Sequence, residues 1–250
     1  ILKSYLNNKS GSFWGDDKAN ISNAIASTNS LIFLLNNFSV VDNIDFQNLL
    51  DSGISGEIIT DEEIIIEGEM HYFNNSVLDK SHRKLFQFIF EHGIQYVMPP
   101  FISAIDSAMN HAILNEIYFP LNELSFSQQR LKYASLGLEI YYGHWAHINN
   151  ENELVGNSEY IFNNRNTLED GDPLLYAIID GFFEENLSCK VHLNQSFSDT
   201  FHLKLDTNFI YTNKSQYLVN VNLTGMIGSS IFANHNDNSL LGNSGDNTFF

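Results

Sequence analysis

The chain has 250 residues and one cysteine, Cys189, so no internal disulfide can form, and its length is enough to bury a core without one. Twelve basic against thirty acidic residues leave a formal charge of −18, which repels nucleic acid and anionic headgroups and favours cations such as calcium. No run reaches the roughly 18 uncharged apolar residues that span a bilayer; the most apolar, SLIFLL at 30–35, is far shorter. The start, ILKSYLNNKS, lacks a basic region leading into an apolar one, so no secretion leader is visible, and Ile1 and Phe250 both read as cuts through a longer polypeptide. Asn20-Ile21-Ser22 is placed to cap a helix through AIASTNSLIFLLNNF, and Asp45 to Leu50 carries Phe46, Leu49 and Leu50 at helical spacing.

From Ser81 to Ile148 the helical period is strong: HRKLFQFIFEHGIQYVM, then FISAIDSAMNHAILNEIYF after Pro99-Pro100, then SQQRLKYASLGLEIYYGHWAHI, capped by Ser125 or Ser127. A polar, turn-rich loop leads to a shorter helix, PLLYAIIDGFF, behind the capping Asp172. After Glu185 the pattern alternates, and CKVHLNQ, DTFHLKL and QYLVNVNL read as strands. The expected fold class is α+β: a helix-rich domain with a small antiparallel β part over 1–222, then the first turns of a parallel β-roll over 224–250.

The end of the chain repeats in steps of nine: TGMIGSSIF at 224–232, ANHNDNSLL at 233–241 and GNSGDNTFF at 242–250. Each has an apolar residue at its eighth place, Ile231, Leu240 and Phe249, behind a small hydroxyl residue. A turn of about six residues and a short strand then point one apolar side chain inward per pass. These repeats resemble the repeats-in-toxin, or haemolysin-type calcium-binding, family, whose nonapeptide is G-G-x-G-x-D-x-U-x. Gly242, Gly245 and Phe249 match; Asn243 and Asn247 depart, as do Ala233, Asn236 and Asn238. The resemblance implies calcium held between turns, here by Asn234, Asn236, Asp237, Asn238, Gly242, Asn243, Gly245, Asp246 and Asn247, with neutral Asn at the ligand place weakening or abolishing the site. It also implies one-step (type I) export, an extracellular location and an array continuing past Phe250 as the cap gives way to further turns.

DSGISGEIITDE at 51–62 resembles an EF-hand loop, with Asp51, Ser55, Gly56, Glu57, Ile58 and Glu62 at places 1, 5, 6, 7, 8 and 12. Gly53 and Ile59 depart from it at places 3 and 9. If the following segment is extended, Glu67, Glu69 and His71 share one face; a solvated acidic face is the plainer account.

Glu139, His144 and His147 in EIYYGHWAH could ligate zinc or iron, although the spacing is not HExxH and no glutamate stands as general base. His111 and Asn115, with Asp106 and Glu116, either converge with His144 in a pocket or mark a solvent face; His82 and His92 carry no motif. No G-x-S-x-G elbow, phosphate loop, dinucleotide fingerprint or Cys/His couple occurs. The expectation is a calcium-binding secreted module of adhesion, surface or toxin-associated type, its partners calcium and an extracellular ligand. The alternative is a secreted metal-dependent hydrolase using a His/Glu site.

Overall fold

The computed structural model describes residues 1–36, 53, 55–64, 79–145, 158–204 and 215–250, without the side chain of Glu62. Proline and short polar caps set the helix boundaries. Helix α1 (Leu2–Leu6) is a single turn, and α2 (Ala19–Ser27) follows a polar loop. Helix α3 (Ser81–Ile89) begins where Asp79 Oδ1 accepts the Ser81 N–H at 2.8 Å, then runs on through a π-turn at Phe90–Ile94 to Val97. Pro99 and Pro100 open α4 (Pro99–Leu114), where their missing N–H groups cost nothing. Ser125 caps α5 (Phe126–Tyr141) in a box with Gln128, and Asn164 caps α6 (Arg165–Gly171) with Thr167. Asp172 caps α7 (Pro173–Phe182), whose first residue is the proline.

These helices enclose one aromatic core. Tyr5, Phe86, Phe101, Tyr133, Tyr141, Tyr142, Phe182 and Phe183 are all buried in it, and α5 is buried along nearly its whole second half. Among the described residues no helix is long and apolar enough to cross a membrane.

Two expectations for the first sixty residues fail. The helix expected through AIASTNSLIFLLNNF stops at Ser27: Asn29 takes φ +52° and Leu31–Leu35 is strand β1, paired in parallel with β2 (Gly56–Thr60). An apolar pentapeptide cannot be told from a helix segment by period, and its partner across the sheet decides it. Gly56 therefore lies in extended chain against the Leu31 backbone rather than at the bend of a twelve-residue loop. Asp51, the segment Asp45 to Leu50, and Glu67, Glu69 and His71 lie outside the described residues.

The α+β class holds, but the antiparallel part and the separate terminal module do not. Strands β3 (Leu187–His192), β5 (Leu218–Asn222) and β7 (Ser239–Leu241) form one parallel sheet. Strands β4 (Thr200–His202), β6 (Ser229–Phe232) and β8 (Asn247–Phe249) form a second. Among the described residues successive strands alternate between the sheets, so no two of them close a hairpin, and 224–250 adds rungs to sheets that begin at Leu187 instead of starting a new β-roll. Val191, Val221 and Leu240 stack in one sheet, and Phe201, Ile231 and Phe249 in the other. The only departure from parallel pairing among the described residues is an isolated bridge, Tyr118 to Tyr160.

Candidate functional site

The polar groups of the helical body are engaged in holding it together. Glu139 is fully buried and receives two N–H groups from Arg83, at 3.0 and 2.7 Å, and Trp145 Nε1 at 3.0 Å. A buried carboxylate is tolerable only with such a partner, and the guanidinium occupies the place a metal ion would need. His144 is buried in contact with the ring of His82, centroids 4.1 Å apart, while His82 Nδ1 meets the Tyr5 hydroxyl at 2.5 Å. Burial first, and then the neighbouring His144, hold the His82 imidazole well below its ordinary pKa, in the neutral form. His147 lies outside the described residues, and His111 and Asn115 are exposed, with Asp106 paired to Arg130 at 2.5 Å. No group of three or more His, Cys, Asp or Glu among the described residues is arranged to hold a metal.

Other buried polar side chains are likewise structural. Asp172 accepts the Tyr133 and Tyr160 hydroxyls at 2.6 and 2.8 Å besides capping α7 through the Leu175 N–H. Lys18 lies under the rings of Phe182 and Phe183, its ammonium donating to the Tyr5 carbonyl at 3.0 Å, and burial lowers its pKa to about 8. Arg165 is sandwiched between the rings of Tyr141 and Tyr217, 3.7 and 3.6 Å from their centroids, and donates to the Tyr141 and Glu185 carbonyls. It fastens the body to the strands.

The turns of the strand region place the residues that the repeat pattern singled out. Asn234 Oδ1 accepts from Asn236 N and Asn238 Nδ2, at 3.0 and 2.9 Å. Nine positions on, Asn243 Oδ1 accepts from Gly245 N and Asn247 Nδ2, both at 2.9 Å. Those amide oxygens are occupied, and Asp237 and Asp246 are exposed rather than turned in among them. Of the EF-hand-like residues, Ser55 bonds Ser30 at 3.1 Å, and Glu57 pairs with Lys84 at 3.6 Å. Glu62 lies in a short 3₁₀ turn.

Accessible polar groups gather elsewhere, in a cleft of about 1010 Å³ where α1, the segment after α7 and the turn at 235–237 meet. Glu184, Glu185 and Asp237 contribute carboxylates, Asn7, Asn8, Asn186 and Asn236 amides, and His235 an imidazole. The backbone is fixed from behind: the Tyr142 hydroxyl donates to the Glu184 carbonyl at 2.7 Å and Arg165 to that of Glu185 at 2.8 Å. Across it Asn236 Nδ2 donates to Asn186 Oδ1 at 3.2 Å. A second recess of about 250 Å³, lined by Lys204, Gln216 and Tyr217, opens off the same residues. These carboxylates line one open cleft but are not grouped to enclose a bare metal ion, so what they suit is a cation that keeps its water, or a cationic side chain. Sequence reasoning named Asp237 and Asn236 but not Glu184, Glu185 or Asn186; the run Glu-Glu-Asn directly behind an apolar helix was the available signal. No family model, curated protein or solved structure matches this chain.

Proposed function

We propose that the chain is a non-enzymatic, calcium-binding module of an exported protein, of the adhesion, surface or toxin-associated kind. In this reading the helical body carries the parallel strands, and the acidic cleft between them holds the ion through its water, since its carboxylates are not grouped for direct coordination. The observation that carries it is the division of polar groups. Those of the body, Glu139, Asp172, Arg165 and Lys18, are buried and engaged in holding it together, while Glu184, Glu185 and Asp237 line an open cleft. The formal charge of −18 raises the local cation concentration around such a site. Export rests on the resemblance of the nonapeptide repeats and is consistent with a single cysteine. The hydrolase alternative loses support because the Glu139 carboxylate is already held by Arg83.

Calcium titration of the whole chain by calorimetry tests this, against Glu184→Gln, Glu185→Gln and Asp237→Asn combined. Binding in the range of about 10⁻⁴ to 10⁻³ M, as in extracellular calcium modules, and its loss in the triple variant are expected. No heat at millimolar calcium, or equal binding by the variant, sinks the proposal.

A further inference from the structure

The strand region is thin. Its early passes bury two or three apolar side chains each, such as Leu187, Val191 and Leu193 or Leu218, Val221 and Leu223, but the last ones do not, and Phe249 is 45 % exposed, so apolar burial alone holds the final rungs weakly. The turns carry a second device. Asn234 Nδ2 donates to the Gln216 and Leu218 carbonyls at 3.2 and 2.9 Å. Asn243 Nδ2 donates to the Thr224 and Ile227 carbonyls at 2.8 and 2.9 Å. In both cases the oxygen of the same amide is filled by a main-chain N–H two residues on and by the side-chain amide of an asparagine four residues on, Asn238 or Asn247. One side chain thereby uses both of its protons and both acceptor positions, and it ties each turn to an earlier one.

Two carbonyl oxygens converging on one point repel each other unless a positive pole lies between them. An amide NH₂ supplies one without net charge; a bound cation is the other common solution. We infer that Asn234 and Asn243 are the clasps that close this parallel coil, supplying from a neutral side chain what a metal ion would otherwise provide. The turns fold without a cation, and a carboxylate in place of the Asn243 amide makes them require one. Once ionised, that carboxylate would set its own oxygen against the two carbonyl oxygens with no donor among the three. Protonation restores one donor, and a divalent cation accommodates all the oxygens at once. Asn243 is not among the residues lining the acidic cleft, so this inference does not depend on calcium binding there.

The test is thermal unfolding of the full chain carrying Glu184→Gln, Glu185→Gln and Asp237→Asn, so that the cleft contributes nothing, with and without Asn243→Asp or Asn243→Ala. With chelator at neutral pH the parent keeps its melting temperature, and both variants lose about 4 to 8 °C. Calcium or mild acid restores N243D and leaves N243A low. If N243D fails to accumulate, Asn247→Asp, which removes only the bonds to Asn243 Oδ1 and the Ser229 carbonyl, carries the same comparison. A parent that melts early in chelator overturns the inference, as does an aspartate variant that neither calcium nor acid rescues.

Discussion

The helical body and the parallel coil solve the same problem with opposite means. In the body, apolar bulk is plentiful. Tyr5, Phe86, Phe101 and Phe182 are fully enclosed, and buried charges such as Glu139 and Asp172 are borne because every one has partners. In the coil the core thins along the chain, falling from a buried Phe201, Leu203 and Ile231 to a half-exposed Phe249. Here neutral amides close the structure. Burying a charge needs a thick surround to position its partners, whereas an asparagine clasp works at a half-exposed turn because it leaves no ion to solvate.

The largest expected effect comes from removing a shared partner in the body. Asp172→Ala takes away the α7 cap and strands two buried tyrosine hydroxyls, and urea unfolding should register a loss of about 3 to 5 kcal/mol, with Asp172→Asn losing less. The coil should respond by depth. Ile231→Ala costs about 3 kcal/mol, and Phe249→Ala, at the open edge, about 1 kcal/mol; equal costs would mean that the coil has no such gradient.

The pH effects come from groups of the body. His82 is neutral in the folded chain and its folded pKa lies below the ordinary 6.5, so the unfolded chain takes up the proton first. Stability is full above about pH 6.5 and falls below it by up to about 1.4 kcal/mol per pH unit, until the folded pKa is passed. Lys18 has the same sign at the alkaline end. Its folded pKa of about 8 lies below 10.5, so stability rises with pH from about 8 toward 10 as the folded state sheds a proton the unfolded state keeps. Above about 10 the buried tyrosines, whose pKa values are raised, reverse the slope, since the unfolded chain ionises first. Lys18→Met should remove the rise and leave the fall.

Much of the body is legible in the sequence because its signals are local. Pro99-Pro100, Ser125, and Asp172 with Pro173 each mark a helix start within a residue, and the helix periods between them hold. The second long helix, expected to reach Phe119, ends at Leu114, with Glu116 at φ +56° turning the chain. The strands are found, but not their pairing. Alternating strands look the same whether they fold back in hairpins or wind between two sheets, and the difference lies in long-range register. The early passes also hide the repeat: Val191 pairs with Val221 and Phe201 with Ile231, thirty positions on, while Ile231 pairs with Phe249 at the nine-residue rhythm's double step. The contact of His82 with His144, and the cleft that Glu184, Glu185 and Asp237 line together, join segments that share no local pattern.

Native-state amide hydrogen exchange of the full chain in chelator, compared with calcium, tests most directly whether the coil closes without a cation. The amides of Leu193, Leu203, Leu223 and Ser230, which bond between successive passes of the coil, are expected to stay protected in chelator, with calcium slowing exchange only around Glu184 to Leu187 and Asn236. Coil amides that exchange freely in chelator and become protected only when calcium is added would contradict it.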